Sequence, residues 1–527
     1  MRVRRVDMEL SSKSRLSTSQ PKMRQQQRIK ISSLRLGTKG TLALVFAIVI
    51  ILITSVFIVL QSAPSNDNIF SPTASPSPIL QQTPGTTSRP TASGAPNAPN
   101  PTASSMPHNE EKEHKEKGRI ELAQVMNSSV WMGVGQEAWA YFKPDVGVDP
   151  TTGLPGAVSG FPYFTDWDLG VYIQAVLDAQ QMGLVSKDGD WGADFRFAKI
   201  LDFLDTRPLN ETTHYPFWFY RSGNGENYAE QSDLSTVTVD VVDAGRLFVA
   251  LNNLKSYKPG SDWSIISNSS KTIAQRIDDI VYNGQNHGRS NYAALVPEIK
   301  VEAGSSSIYA YYYTKGFAAF WPNELGSVPG KILDNLLRCP IVTVNENGNV
   351  TLPNALISCE PLLHSVFELN ISDSLERSKL LNFTRQVYLA HEERLSLYNA
   401  NLTKIPYVAF SEGNSGTPTF IYEWVILPGK GSWKVTTIDM QPYDINPIIY
   451  SKVALGFLAL YNTTYAKDMC VYIESAMPLA SKMNGWCDGT DYTMLLKDRK
   501  IINTVGSNTN GMILEAANYF IQNNPND

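Results

Sequence analysis

The sequence predicts a mainly all-α fold, a closed ring of helical hairpins with long loops, preceded by one transmembrane helix. Three observations lead there. Apolar residues recur at helical spacing in about a dozen segments after Arg119. Loops rich in Gly, Asn, Pro, Trp and Tyr separate many of these segments, and loops of such length usually carry function. Thr41 to Leu60 holds twenty residues without a charge, enough to cross a bilayer as a helix.

The N-terminal third divides by composition. Residues 1–40 carry eleven Lys and Arg against Asp7 and Glu9 and are otherwise rich in Ser and Gln, as a disordered basic tail is. That basic flank places the N-terminus on the cytoplasmic side. The apolar run exceeds the core of about 7 to 15 residues found in a cleaved signal peptide. Residues 41–60 are read as a signal anchor whose partner is the lipid bilayer, with the rest of the chain extracytoplasmic at the cell membrane. Residues 61–118 form a Pro-, Ser- and Thr-rich stalk with a charged end, too poor in apolar residues to build a core. The folded domain is predicted over 119–527.

Charge narrows the partners. The chain has 45 Lys and Arg and 50 Asp and Glu, and without the tail 34 and 48 remain, a net of −14. An acidic outer domain excludes nucleic acid, which needs a basic face. Eight N-x-S/T sequons, from Asn127 to Asn462, agree with an exported domain. Outside the cell the four cysteines would pair as sequence neighbours, Cys339 with Cys359 and Cys470 with Cys487, although three connectivities are open. No CxxC occurs, and His391-Glu392-Glu393 begins like a zincin helix but has Leu at 395, so no metal and no cofactor is expected.

Helices are predicted at about 121–143, 167–184, 194–205, 234–254, 269–283, 308–320, 329–338, 361–369, 373–398, 448–463, 466–482 and 510–523. Few strands are expected, one of them in a hairpin at 343–352.

Chemistry concentrates at helix starts. In FPYFTDWDLGVYIQA (161–175), Asp166 and Asp168 bracket Trp167 after an aromatic loop containing Tyr163. Carboxylates there favour the positive end of the helix dipole, and a carboxyl pair with an aromatic face is what sugar chemistry requires. The same carboxylates also serve as ordinary helix caps. Gly223 to Asp243 supplies Glu230, Asp240 and Asp243 among five acids. SEGNSGTPTFIYEW (411–424) places Glu412 in a Gly-rich loop ahead of Tyr422. NTVGSNTNGMILE (503–515) presents Asn508 and Asn510, amides that both give and accept hydrogen bonds. No GxxxxGK[ST] phosphate loop or GxSxG elbow occurs.

Ten pieces in fixed order carry a resemblance. They are AWAYF (138–142), GLPGAV (153–158), FTDWDLGVYIQAVLDAQQMGL (164–184), VVDAGRL (241–247) and IYAYYYTKGFAAFW (308–321). CEPLLHSVFEL (359–369), SEG (411–413), IYEW (421–424), YSKVALGFLALYNTTYA (450–466) and SNTNGMILEAANY (507–519) follow. From Trp131 to Phe520 the chain resembles the glucoamylase-like family catalogued as domain of unknown function 3131. It departs from that pattern at FPYFTD before Asp166, at His391, and at Asp491 in GWCDGTDY.

The resemblance implies an (α/α)6 toroid and a glycoside hydrolase-like enzyme, inverting, acting on an envelope or extracellular glycan. It points to Asp168 and Glu412 as the carboxyl pair, Glu412 as acid and Asp168 or Asp166 as base. Asp243, Glu230 and Glu360 stand in reserve. Tyr163, Trp167, Trp321, Tyr422, Asn508 and Asn510 would line the sugar subsites. The alternative is a catalytically inactive toroid that binds glycan or organises the envelope. A lyase fits less well with an acidic domain that has only six histidines in the whole chain.

Overall fold

The computed structural model describes residues 127–228, 237–258, 271–282, 291–338, 357–399, 407–414, 420–425, 433–437, 440–443, 448–476, 484–491 and 501–525. The tail, the span at 41–60, the stalk, Glu230, Cys339 and the 343–352 hairpin lie outside the described residues. No helix among the described residues is long and apolar enough to cross a membrane.

All twelve predicted helices are present. They are α1 (Ser128–Trp139), α2 (Asp166–Gln181), α3 (Ala193–Thr206), α4 (Val241–Tyr257), α5 (Ile273–Tyr282) and α6 (Ile308–Phe320). Then come α7 (Val328–Arg338), α8 (Cys359–Phe367), α9 (Ser374–Asn399), α10 (Ser451–Leu460), α11 (Thr464–Ala476) and α12 (Ser507–Asn523). The even-numbered helices pack in sequence, α2 on α4, α4 on α6, α6 on α8, α8 on α10 and α10 on α12. Helix α12 returns to α2 and closes a ring of six. Each odd-numbered helix lies against the outside: α1 on α12, α3 on α2, α5 on α4, α7 on α6, α9 on α8 and α11 on α10.

Sequence dictates these layers. Helix α2 buries every residue from Asp166 to Ala179, as a helix surrounded on all sides must. Helix α5 buries only Ile273, Arg276, Ile277, Ile280 and Val281, one stripe at helical spacing that faces inward. Helices α4 and α6 cross at glycines. A Cβ on Gly316 would stand 2.1 Å from the Gly245 carbonyl oxygen, and one on Gly245 would stand 2.4 Å from Tyr313 Cβ. Only glycine lets the two backbones come so close.

The ring interior is polar at mid-height. Arg246 of α4 is fully buried and donates to both oxygens of Glu368, at 2.8 and 2.6 Å. Tyr312 donates to Glu368 at 2.5 Å, and His364 Nδ1 lies 2.8 Å from Glu515 Oε2. Burial alone would raise the Glu368 carboxyl, but Arg246 and His364 hold it down at about 2. Glu515 goes the other way, raised by burial and by the Glu368 charge. His364, Glu368 and Glu515 bring ligand atoms within 4.8 Å of one another, with both Glu368 oxygens already committed to Arg246.

Strands are more numerous than predicted. Antiparallel β1 (Tyr163–Phe164) and β2 (Tyr220–Arg221) pair before α2. A sheet of β3 (Glu412–Asn414), β4 (Phe420–Val425) and β5 (Trp433–Thr437) lies between α9 and α10, with Glu412 opposite Tyr422. A third sheet joins β6 (Ile448–Tyr450), β7 (Cys487–Asp491) and β8 (Ile501–Val505). Segments of two to six residues become strands here; β1 and β6 do so because partners more than forty residues away complete their ladders, which local spacing does not reveal.

Of the cysteines expected to pair, Cys359, Cys470 and Cys487 are buried, while Cys339 lies outside the described residues. Cys359 Sγ lies 3.8 Å from His391 Nε2.

Candidate active site

The starts of the even-numbered helices come together at one end of the ring, and the acids sit there. Ser507, first residue of α12, donates to Asp168 Oδ1 at 2.8 Å, joining the last inner helix to the first. Lys452 of α10 forms an ion pair with Glu360 of α8 and donates to the Glu412 carbonyl at 2.9 Å. Tyr309 of α6 and Ser358, just before α8, donate to the two oxygens of the Glu412 carboxylate. Six helix starts at one end concentrate partial positive charge, which favours carboxylates there.

Each predicted residue of the α2 start has a separate task. Thr165 caps the helix, accepting from Trp167 N at 3.1 Å, while its own N–H donates to Asp168 Oδ2 at 3.0 Å. This reciprocal pair is a capping box. Asp166 is fully buried in an ion pair with Arg207 and also accepts from Tyr292 at 2.7 Å. Asp166 is thus tied to the end of α3 and to Tyr292, whereas Asp168 is held by Thr165 and Ser507. Trp167 stands between them with its ring 5.9 to 6.1 Å from Tyr309, Tyr312 and His364.

Burial raises the Asp168 carboxyl to about 6, against the donors of Thr165 and Ser507 and with help from the Glu360 charge. Asp243, half-buried at the start of α4, accepts from Trp218 Nε1 at 3.2 Å. Burial and the charges of Asp240, Asp168 and Asp166 lift it well above the usual range. Glu412 is also lifted well above its ordinary value, by burial and by Glu360, against the pull of Lys452 and Tyr309. Tyr422 faces all of these, since Glu412, Glu360, Asp243 and Asp240 each act on its hydroxyl.

Two predicted residues, Trp321 and Asn510, stand elsewhere. Trp321 ends α6, while Tyr309 begins it, so about 18 Å of helix separates Trp321 from the carboxyls. It packs instead on Phe317 and Phe248. Asn510 is fully buried and spends its amide on Trp486 and on Gly506 O, so it clamps the loop before α12. Glu230 lies outside the described residues. Asn508, half-buried with Oδ1 lacking a protein partner, and Tyr163, half-buried in β1, keep positions beside the site.

Sequence reasoning missed Lys452, Tyr309, Ser358, Ser507 and Asp488. Asp488 accepts from Asn414 at 3.1 Å and from Thr509 at 2.6 Å, whereas the Asp491 singled out in GWCDGTDY pairs with Ile448 at the end of β7. One signal was available, because Lys452 is the single charge in an otherwise apolar helix, SKVALGFLAL.

Residues 134–523 match the family model described as "Protein of unknown function (DUF3131)". The chain belongs to this DUF3131 family. No curated protein matches it. Among solved structures, it is similar to an endo-β-1,2-glucanase from Chitinophaga pinensis in complex with sophorotriose and glucose. Identity there is 13%, with 75% of this chain and 93% of that one covered and a TM-score of 0.46. An endo-β-1,2-glucanase from Talaromyces funiculosus with sophorose gives 11%, 77%, 88% and 0.46. A β-1,2-glucanase from Parabacteroides distasonis gives 13%, 75%, 57% and 0.45, so the chain spans little more than half of that protein.

Proposed function

We propose that this DUF3131 member is a membrane-anchored, extracytoplasmic glycoside hydrolase that acts on an envelope or extracellular glycan by an inverting, two-carboxylate mechanism. One observation carries the reading. The helix starts hold two carboxyl walls, and each contains one acid raised far above its ordinary range beside a second carboxyl. On one wall, Asp243 adjoins Asp168; on the other, Glu412 adjoins the Lys452-paired Glu360. Environments that separate the protonation of neighbouring carboxyls are how acid and base roles are assigned at one pH.

Glu412, its carboxyl held above its ordinary range by burial and by Glu360, is the general acid: it gives its proton to the glycosidic oxygen as the bond to the anomeric carbon breaks. Asp168, with its carboxyl at about 6, is the base that takes a proton from the attacking water. Water then bonds to the anomeric carbon from the opposite face, and solvent resets both groups. Trp167, Tyr309 and Tyr422 supply ring faces between the walls. The anchor rests on the apolar run at 41–60 and the basic tail before it.

Incubating the purified chain with envelope and storage glycans, and scoring released reducing ends, tests the reading. Asp168→Asn and Glu412→Gln should each lower the rate at least a hundredfold, in line with the loss of a general acid or base (about 10² to 10⁴). Full activity in both variants would falsify the assignment.

A specific observation also favours the inactive toroid. Asp168 and Glu412 are only 6% and 3% exposed, and both oxygens of each already accept protein donors. Glycan binding without release of reducing ends from any substrate would select this second reading.

A further inference from the structure

Aromatic side chains flank the carboxyl walls on two opposite sides. Over α2 and α4, the β1–β2 pair gathers Phe161, Tyr163, Trp218, Phe219 and Tyr228, all half-buried, with ring centres 4.4 to 6.4 Å apart. Trp218 ties this group to Asp243. Phe161, Pro162 and Ser222 also line a hollow of about 380 Å³ with Asp145 and Asp149, and none of its lining residues is basic. Over α6 and α8, strand β4 presents Tyr422 beside Glu412 and then Phe420, which is 40% exposed, with 5.5 Å between the two rings. Helices α2 and α8 lie three places apart in a ring of six, on opposite sides of its mouth.

The ionisable side chains between these groups, apart from cations held in pairs, are acids. Asp168, Asp240, Asp243, Glu360, Glu412 and Asp488 gather at the helix starts. The nearby cations are committed: Arg207 to Asp166, Lys452 to Glu360, and Arg221 over the Tyr163 ring. Polar atoms there call for partners of another kind. Trp167 Nε1, Ser411 Oγ and Ser451 Oγ are buried at this end without a protein partner. Buried donors and acceptors of this sort are normally satisfied by water or by a ligand's hydroxyls.

We propose that this mouth is a binding track for an uncharged glycan chain, which lies across the carboxyl walls with sugar rings on both aromatic groups. This rests on the proposed glycan chemistry and narrows it to neutral polymers longer than a disaccharide. A uronate-, phosphate- or sulfate-bearing chain would meet repulsion from the acids, and the cations beside them, Arg207, Lys452 and Arg221, are already engaged. Neutral pyranose rings stack on aromatic faces and satisfy the orphan polar atoms with their hydroxyls.

Affinity electrophoresis of the full chain in detergent tests this directly. The neutral probes are laminarin, galactomannan, hydroxyethyl-cellulose and linear β-1,2-glucan. The acidic probes are polygalacturonate, alginate and hyaluronan. At least one neutral polymer should retard the protein, the acidic ones should not, and Phe161→Ala and Phe420→Ala should each weaken retardation about three- to tenfold. Phe420 is exposed enough that its truncation leaves the fold intact, which circular dichroism checks. Stronger retardation by an acidic polymer, no retardation by any neutral one, or wild-type binding in both ring variants overturns the proposal. A neutral polymer that binds without being cut refutes the hydrolase reading alone and leaves this one standing.

Discussion

Ser507 donates a hydrogen bond to Asp168 at 2.8 Å across 339 residues of sequence, so one contact both closes the helical ring and positions the proposed base. The Asp168 carboxyl binds its proton more tightly in the fold than in the unfolded chain, with a pKa of about 6 against an ordinary 3.8. Its stabilising contribution is therefore complete below the unfolded value and is lost as pH rises through about 6. The loss amounts to about 3 kcal/mol. Urea unfolding at pH 4 and pH 7 should show that Asp168→Asn removes this much of the pH dependence. Ser507→Ala should push the upper end of the window higher, because it removes a donor that favours the ionised form.

The Arg246–Glu368 pair should be among the most sensitive positions in the domain. Both side chains are fully buried, and Tyr312 and His364 converge on the same carboxylate. Arg246→Met leaves a buried carboxylate without its cation and should cost about 3 to 5 kcal/mol. Denaturant midpoints measure this, and a loss below 1 kcal/mol would mean that the network does not hold the ring.

Gly245 and Gly316 set the distance between α4 and α6. Alanine at Gly316 would press into the Gly245 carbonyl, a backbone atom that cannot move aside, and should cost at least about 1 to 3 kcal/mol. Alanine at Gly133, where an added Cβ meets nothing within 4 Å, is the matched control and should stabilise α1 slightly. Thermal melts of the two variants should move in opposite directions.

Thiol chemistry checks the state of the cysteines. Cys359, Cys470 and Cys487 should react with iodoacetamide only after denaturation, and should do so without a reductant. Burial raises the Cys359 thiol, with Glu412 and Glu423 adding to the effect, which slows alkylation in the native state further. A mass showing pairing of Cys470 with Cys487 would restore the disulfide expected from sequence.

Most of the helical framework was legible before any coordinates. Apolar residues at helical spacing marked each of the twelve helices, while the all-round burial of α2 against the single buried stripe of α5 emerged only in the fold. The cap at Thr165 and Asp168, and the acids at helix starts, were equally plain, because capping is local chemistry within four residues. The β3–β5 sheet was hidden, since Glu412 meets Tyr422 only through a register that turn geometry and distant packing decide.

Sequence by itself determined the twelve helices, the acid-rich helix starts and family membership, all of which follow from periodicity, capping and ordered motifs. Tertiary structure alone decided which acids meet. It sealed Asp166 against Arg207, set Asp168 under Ser507, and brought Glu412 to Tyr309 and Glu360 to Lys452. The reason is physical: a cap is made by neighbours in sequence, whereas a carboxyl's charge depends on burial and on partners tens to hundreds of residues away, which only ring closure brings into reach.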